Sequence, residues 1–504
     1  MESASPGAYD FLGSWYYSLA PPDSQTPRLP DSQTPRLLDS KTPRLPTKHY
    51  LVRQTNPIPL SIWDILFPRR PKAPETGEPQ YRFGRYTDAY KSPANYRAWE
   101  EALHEFEDGN YLASCTAFMR YLLDVRENNV QFQVEEDRLY FEFYQGSKRV
   151  TGFADEEQLW AAASIAKLEA PNVDLLHRLT SMNYEMKYSR FAINPDTCLA
   201  IVFDTPINDA SPYKLYHALK ELAVNADKQD DLLLDEFSQF LSPTEITHLE
   251  ELSPADKDLK LKFLTEHISK VVDYLGGQYL SAEEHPGAVA YLLLDLVYRL
   301  DYLLIPEGYT MEALERMHRM YFAQETNQPI THKNVRLLGE LQSLLERAPG
   351  NFDAELYAGR STFGITLPAS HDRLGALIDS ELSNMDWYQD NNYERIARAV
   401  PGYIVGYALF NYAVPPPDKD LLELYYRIAE DDYFRELGYR QEYRDQNRRP
   451  ARRAIRAAIT NLAERHRDAY PRLRPGLSQL KFDNLVDFGR SYLLMIRELD
   501  LSQR

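Results

Sequence analysis

Cysteine is scarce in this sequence, and its scarcity restricts both the fold and the compartment. Cys115 and Cys198 are the only two cysteines among 504 residues, and they lack CxxC spacing. Two cysteines cannot form the disulfide framework of a small secreted domain. The sequence therefore indicates a cytoplasmic protein in which both thiols behave as small core residues.

Long apolar runs without charge are also missing. The best candidate for a membrane span, AVAYLLLDLVYRLDYLLI at residues 288–305, contains Asp295, Arg299 and Asp301. Charged side chains are unfavourable inside a bilayer, whereas Asp295 and Arg299 lie four residues apart and can pair on one helix face. We therefore predict a buried core helix here and no membrane insertion. The N-terminal residues also lack the basic region of a signal peptide.

An excess of positive charge and the common catalytic motifs are absent. The formal net charge is −18, and a negative average field disfavours nonspecific binding to nucleic acid or anionic membranes. The sequence has no GxxxxGK(S/T), no GxGxxG after a strand, no GxSxG and no HExxH. His177, His217 and His267 lie on predicted helices without a second histidine or a cysteine at i+3 or i+4. We therefore expect no catalytic residues, no metal and no cofactor.

What the sequence does contain begins with a period-eight repeat at residues 23–46, DSQTPRLP, DSQTPRLL and DSKTPRLP. Each unit offers one or two leucines for burial, which cannot offset the entropy of ordering eight residues. We predict that residues 1–46 are a disordered tail, and a multivalent peptide ligand is the alternative. Residues 47–94 are predicted to be an extended linker with a short apolar docking segment at 56–74.

A mixed pattern of helical and strand periods covers residues 95–240. An αα-hairpin comes first, then three strands between Val130 and Val150, a helix over 155–168, a short helix, a β-hairpin around Asn194-Pro195-Asp196, and a helix from Ser211. The acidic run at 226–237 is predicted to be helix with a solvated face. This order predicts a five-stranded antiparallel sheet with helices on one face, an α+β fold.

The stretch LLHRLTSMNYEMKYSRFAINPDTCLAIVFDTPI at residues 175–207 lies at the centre of this region. Together with the order of elements, it resembles the YbjN family and the type III secretion chaperone-like fold. The matching features are Leu175, Leu176 and Leu179 on a helix, then Asn183, Phe191, Asp196 and an apolar strand that ends at Pro206. The resemblance implies a small, often dimeric, protein-binding fold without catalytic residues.

One face of the predicted sheet is a candidate binding surface. Leu139, Phe141 and Phe143 are expected to face the helices, so Tyr140 and Tyr144 would project from the open face. Aromatic side chains are enriched at binding sites, and we predict that these two tyrosines contact a polypeptide partner or a second copy. The alternative is that they only cap an ordinary sheet.

Residues 258–504 read almost entirely as helix. We predict an irregular all-α domain that acts as a docking scaffold, with helices at 260–275, 288–305, 310–323, 334–347, 372–385, 392–412, 419–435, 450–468 and 482–498. The first hypothesis is therefore a non-enzymatic protein-interaction protein. An enzyme whose site is assembled across this domain is another hypothesis, which a deep polar pocket with clustered carboxylates or histidines would favour.

Arginines are concentrated between residues 435 and 474, where twelve occur without a lysine. Within the stretch 448–467, Arg449, Arg452, Arg453 and Arg456 are predicted to lie along one side of a helix. Guanidinium groups bind carboxylates and phosphates in a fork geometry. The side chains therefore suggest an acidic-ligand or nucleic-acid surface, and the alternative is that they pair with carboxylates of the protein itself.

Overall fold

The structure, a computed structural model, describes residues 79, 81–244, 250–277, 280–323, 328–347 and 349–502. These residues belong to one compact unit that spans residues 75–504. The predicted tail at 1–46, the apolar docking segment at 56–74 and most of the predicted linker lie outside the described residues.

The first half of the described chain, residues 93–243, has the predicted α+β architecture. Its elements are α1 (Pro93–Glu107), α2 (Tyr111–Leu122), β1 (Val130–Glu135), β2 (Arg138–Gln145), β3 (Lys148–Ala154), β4 (Gln158–Leu168), α3 (Val173–Glu185), β5 (Arg190–Ile193), β6 (Cys198–Pro206), a 3-10 turn (Ile207–Asp209), α4 (Pro212–Glu236) and β7 (Leu241–Pro243). We call residues 93–243 the α+β half.

The sheet of the α+β half has seven strands, so the prediction of five was wrong. The strand order is β1-β2-β3-β4-β6-β5, and β7 pairs with the end of β4. All of these pairings are antiparallel. Leu139, Phe141 and Phe143 are fully buried in the core beneath the helices, as predicted.

The segment predicted to be a helix at 155–168 forms strand β4 instead. Its alanines favour helix in isolation, but β4 lies inside the sheet and pairs with β3 on one side and β6 on the other. Ala161 lies in a cross-strand row with Phe141, Gly152 and Phe203. A Cβ at Gly152 would overlap the ring of Phe141. Small residues at Gly152 and Ala161 therefore make room for two phenylalanine rings, and tertiary packing overrides the local preference.

The predicted β-hairpin is confirmed as β5 and β6. The Asn194 side chain accepts a hydrogen bond from the Cys198 amide at 2.8 Å, and Thr197 adopts a left-handed φ of 58°. The hairpin completes one side of the sheet, where β5 is the edge strand.

Helix α4 begins as predicted and continues through the acidic run. Ser211 caps its first turn and Pro212 occupies its first position. The expectation of a solvated acidic face fails at Asp230, which is buried. Its carboxylate pairs with the Lys148 ammonium at 2.5 Å and accepts from the Ser147 hydroxyl at 3.0 Å. The acidic run therefore also anchors the turn between β2 and β3.

The second half, residues 250–502, is predominantly helical, as predicted. Its elements are β8 (Glu250–Glu251), α5 (Pro254–Gly276), α6 (Pro286–Leu304), α7 (Gly308–Phe322), α8 (Ile330–Glu346), α9 (Pro349–Ala354), β9 (Tyr357–Ala358), β10 (Leu367–Pro368), α10 (His371–Asp390), α11 (Glu394–Asn411), β11 (Tyr412–Ala413), α12 (Pro416–Ala429), α13 (Asp431–Glu436), α14 (Arg452–Arg465), a 3-10 turn (Leu477–Gln479) and α15 (Leu485–Arg497). We call residues 250–502 the helical half.

Helix α6 is the centre of the helical half, and the prediction of a buried core helix is confirmed. Fifteen of its residues are buried, among them Asp295 and Asp301. Arg299 forms an ion pair with Asp295, as their four-residue spacing predicted. In the part of the chain that the structure describes, no helix combines the length and the apolar character needed to cross a membrane.

Two extended segments connect the halves. The bridging segment, residues 81–91, reaches the helical half through Arg85 and the α+β half through Asp88, which accepts from the Tyr216 hydroxyl at 2.8 Å. The inserted loop, residues 359–366, places Phe363 in the core of the α+β half. The halves have separate hydrophobic cores, and these segments hold them together.

Candidate functional site

A charged cleft of about 960 Å³ opens between helices α5, α6, α11, α12 and α13 of the helical half. This volume is in the range of small-molecule binding sites. Lysines and arginines outnumber carboxylates in its lining by eight to six. The cations are Lys262, Lys270, Arg299, Arg395, Arg398, Arg435, Arg444 and Arg448. The cleft is therefore locally positive in a protein whose net charge is −18.

A chain of charged side chains forms the floor of the cleft. Arg299 of α6 pairs with Asp295 on its own helix and donates to Glu430 at 2.7 Å. On the other side of Glu430, Nε2 of His267 lies 3.7 Å from the carboxylate. Nδ1 of His267 lies 2.8 Å from the Phe263 carbonyl oxygen, which can only accept, so this nitrogen carries the proton.

The two floor carboxylates differ in how firmly they hold their charge. Burial raises the pKa of Asp295 to about 6, even though Arg299 and Arg398 oppose the shift. Burial acts in the same direction on Glu430, but the charges of Arg299, His267 and Arg398 outweigh it and hold the pKa of that carboxyl well below its usual range. Asp295 is therefore the floor carboxylate that gains a proton first.

Helix α11 approaches the floor closely because it carries glycine there. A Cβ at Gly402 would overlap Oδ1 of Asp295. One turn later, a Cβ at Gly406 would lie 2.6 Å from the Tyr426 hydroxyl oxygen. These two glycines allow α11 and α6 to pack closely, so that Asp295 is only 5% exposed.

The rim of the cleft contains several ion pairs that use most of its carboxylates. Lys262 pairs with Glu436 at 3.1 Å, and Lys270 pairs with Glu266 at 3.0 Å. The remaining rim pairs join Arg435 and Arg448 to Asp432. Pairs of this exposed kind contribute little stability, but they leave few carboxylates for the other arginines.

Three arginines of the cleft have no carboxylate within 4.0 Å among the described residues: Arg395, Arg398 and Arg444. Arg395 donates to the Lys270 carbonyl oxygen at 2.7 Å, and Arg444 donates to carbonyl oxygens at the end of α12. Arg398 makes no hydrogen bond to any described residue and is exposed. Burial, and next the charge of Arg398, lower the pKa of Arg444. Two guanidinium groups of the cleft lining therefore act on each other with charge of the same sign.

Buried polar atoms next to the floor are also without partners. Within the described chain, the Tyr426 hydroxyl and Nε of Arg299 have no hydrogen-bond partner. Tyr426 is 1% exposed, and both residues line the cleft. Buried polar groups in native proteins are normally hydrogen-bonded to protein, water or ligand, so the floor has unused capacity for a bound polar molecule.

The two tyrosines predicted on the sheet face have different surroundings. Tyr140 is half-buried, whereas Tyr144 is 7% exposed. The expectation that Tyr144 projects from an open face was wrong, because Arg360 lies over its ring and Glu142 accepts from its hydroxyl at 2.8 Å. Contact of Tyr140 and Tyr144 with a polypeptide partner or a second copy stays a prediction.

The predicted arginine helix is confirmed as α14, but the four arginines do not share one side of it. Arg449 precedes the helix, because residues before a proline avoid helical conformation and Pro450 follows it. Arg456 is partly buried and donates to the Leu477 carbonyl oxygen at 3.1 Å. Arg452 and Arg453 are exposed in the first turn. In the described part of the chain none of the four forms an ion pair, so the alternative of internal pairing with carboxylates fails for them.

The histidines do not converge on a metal site within the described residues, where no group of three or more His, Cys, Asp or Glu side chains could hold an ion. His177 is exposed, whereas His217 and His267 are half-buried. The helix predicted at 372–385 is confirmed as α10, which begins at His371. Nδ1 of His371 lies 3.0 Å from Asp418, an ion pair that the sequence did not suggest because 47 residues separate its members.

The sequence contained two signals for the cleft. One is Asp295 and Arg299 within an otherwise apolar helix, which we interpreted as a helix-face pair. The other is Pro401-Gly402 inside α11, which marks a close approach between helices. The convergence of Arg398, Glu430 and Arg444 had no local signature, because each lies on a different segment of the chain.

The chain was compared with protein-family models and with curated proteins. It matches no protein-family model, and no curated protein matches it. The resemblance of residues 95–240 to the YbjN family and the type III secretion chaperone-like fold therefore stays a prediction.

Proposed function

We propose that this protein binds a small anionic ligand in the cleft of the helical half, with the anion held between Arg398 and Arg444. The observation that supports this most directly is the pairing of charges. The other cations of the cleft have carboxylate or carbonyl partners, while Arg398 has none among the described residues, and its charge lowers the pKa of Arg444. An anion between the two would remove their repulsion and use their free donors.

The chemical class of the ligand follows from the same groups. Guanidinium forks match the oxygen geometry of carboxylates and of phosphate or sulfate. Arg398 has all its donors available, whereas Arg444 already uses Nε and Nη2 on carbonyl oxygens and offers Nη1. Arg395, at the same rim, adds positive charge. The ligand is therefore a carboxylate- or phosphate-bearing molecule that fits about 960 Å³.

The side chains of the cleft favour binding over nucleophilic catalysis. Among the described residues that line it, none is serine, threonine or cysteine. The acidic and basic groups of the floor are engaged with one another, as in the chain from Asp295 through Arg299 to Glu430. A polar pocket with clustered carboxylates is the feature that would favour the enzyme hypothesis, but the residues of this cleft support recognition of charge more directly than bond cleavage.

Isothermal titration with sulfate, phosphate, succinate and citrate at constant ionic strength tests this proposal. We expect sulfate to bind, with or without the other three anions. We also expect that either variant, Arg398→Gln or Arg444→Gln, weakens the affinity. A hydrogen bond to a charged group contributes about 1.5–3 kcal/mol, so each variant should lose roughly tenfold or more.

The matched control is Arg474→Gln, which removes an exposed arginine outside the cleft. This control should bind as the unmodified protein does. Equal affinities for the control and the two cleft variants would show that the anion binds elsewhere.

A second candidate function is binding of nucleic acid through the surface at the start of α14. It is favoured by Arg449, Arg452 and Arg453, which are exposed and form no ion pair with the described residues. They border a groove of about 710 Å³ beside Phe482, whose ring lies 5.8 Å from the Arg452 guanidinium. Arginine next to an aromatic ring is a common arrangement at single-stranded nucleic acid.

Electrophoretic retention of labelled single-stranded DNA and RNA at low salt tests this second function. We expect retention that falls steeply as salt increases, and that is lost when Arg449, Arg452 and Arg453 are all changed to glutamine. Changing Arg97, Arg336 and Arg474, which are also exposed, serves as the charge-matched control. Equal retention by the two triple variants, or none by the unmodified protein, would rule out this surface.

A further inference from the structure

We propose that the cleft takes up a proton on Asp295 when its anion binds, so that anion affinity is regulated by pH. This inference rests on the proposed anion site and adds a role for its floor. It follows from the presence of Asp295 in the same cleft as Arg398, the arginine expected to hold the anion.

Asp295 is buried in the lining of the cleft, and few neighbouring groups stabilise its negative charge. Its side chain is 7% exposed, and Arg299 is its ion-pair partner. The Arg299 guanidinium also pairs with Glu430 at 2.7 Å, so Asp295 shares this cation with a second carboxylate. The charged and titratable groups around Asp295 are Arg299 on α6, Arg398 on α11, Tyr425, Tyr426 and Glu430 on α12 or at its end, and His267 on α5 behind Glu430.

Arg398 stabilises the charged form of Asp295 from across the cleft. Its positive charge lowers the pKa of the carboxyl, which burial nevertheless raises to about 6. An anion bound to Arg398 neutralises that field and adds a negative charge near Asp295. Both changes favour the protonated carboxyl.

Glu430 does not take the proton in place of Asp295. It is held by Arg299 and by His267, which lies 3.7 Å away, and its pKa remains far below that of Asp295. Once protonated, the Asp295 carboxyl can donate a hydrogen bond. The Tyr426 hydroxyl, which also lines the cleft, has no hydrogen-bond partner among the described residues. Asp295 is therefore the floor carboxyl that is expected to take up the proton.

The direction of the pH dependence follows from linkage. The pKa of Asp295 is higher in the anion complex than in the free protein, so the complex binds more protons. Affinity must then rise as pH falls from the pKa of the complex towards the free-protein pKa of about 6, and level off below that value. The ligand would be retained in acidic surroundings and released at higher pH.

The experiment is titration calorimetry of the full chain with sodium sulfate, which does not itself titrate near the pKa of Asp295. It is repeated in two buffers of different ionisation enthalpy, at a pH just above that pKa, where the free Asp295 carboxyl is largely charged. We expect the apparent enthalpies to differ by an amount that corresponds to uptake of up to one proton for each sulfate bound. In Asp295→Asn, which keeps the size of the side chain, the difference should disappear while sulfate still binds.

A second measurement keeps the test decisive if Asp295→Asn does not fold. Carboxyl carbon NMR of the unmodified protein, labelled at aspartate, should show one buried carboxyl whose titration midpoint moves upward when sulfate is added. Absence of sulfate binding would overturn the proposed anion site itself. Sulfate binding with equal enthalpies in both buffers and no shifted aspartate would overturn the proton uptake alone.

Discussion

Replacing Arg85 with methionine should lower the free energy of unfolding by about 3–5 kcal/mol, the usual effect of removing one partner from a buried ion pair. Arg85 donates to both oxygens of Asp301, at 2.7 and 3.0 Å, and to Glu315 at 2.9 Å. Its guanidinium also lies 3.8 Å from the centre of the Phe410 ring. Methionine fills a similar volume but leaves the buried Asp301 without this cation.

Urea unfolding of Arg85→Met provides the measurement, with Arg336→Met as the control because Arg336 is exposed on α8. The physical cause is tested by the double variant Arg85→Met/Asp301→Leu. Removing both charges of a buried pair is often close to neutral, so the double variant should recover much of the stability. If the double variant does not recover stability, packing of the bridging segment matters more than the unpaired charge of Asp301.

Replacing Phe363 with alanine should destabilise the protein by about 3–5 kcal/mol, the usual effect of removing a buried phenylalanine ring. Phe363 belongs to the inserted loop of the helical half but is 1% exposed inside the core of the α+β half. Its ring contacts those of Phe143 and Tyr216 edge-on, with centroids 5.7 and 5.6 Å apart. The variant therefore removes a contact between the halves and leaves a cavity in one of them.

Amide hydrogen exchange locates the effect of this substitution. We expect faster exchange in β2 and α4, which the Phe363 ring contacts, together with a lower midpoint in urea. The control is Ile365→Ala in the same loop, since Ile365 is 44% exposed. Exchange in Phe363→Ala that matches the control would mean that the inserted loop does not hold the α+β half in place.

The helical half followed from the sequence more closely than the sheet did. Each predicted helix of residues 258–504 has a counterpart, because an amphipathic or apolar stripe is a local property that survives in the fold. The predicted helix at 419–435 is interrupted at Glu430, where α12 ends and α13 begins. That interruption presents Glu430 to the cleft.

The sheet was harder to predict because its stability comes from partners far along the chain. Strand β4 has the alanines of a helix, and only Phe141 and Phe203 on neighbouring strands explain why small residues are needed there. Strand β7 is three residues long and ends in a proline, so it carries no strand signal of its own. Tyr144 is covered by Arg360, more than two hundred residues away in sequence.

Part of the cleft could be predicted from the sequence, and part of it could not. The pair of Asp295 and Arg299 was visible in the sequence as an i,i+4 pair, and the structure confirms the pair. The placement of Arg398 and Arg444 in one cleft was not visible, because it depends on how α11 packs beside α12 and on the loop that follows α13. A charge without a partner can be recognised only when the neighbouring elements are in place.

The most direct test of the anion site is the position of a bound anion. Crystals grown without other oxyanions and soaked in selenate, a heavier analogue of sulfate, would locate it by anomalous scattering. We predict a selenate peak between the guanidinium groups of Arg398 and Arg444, within hydrogen-bond distance of both. An empty cleft in crystals that bind selenate elsewhere, for example at Arg452 and Arg453, would contradict the proposed function.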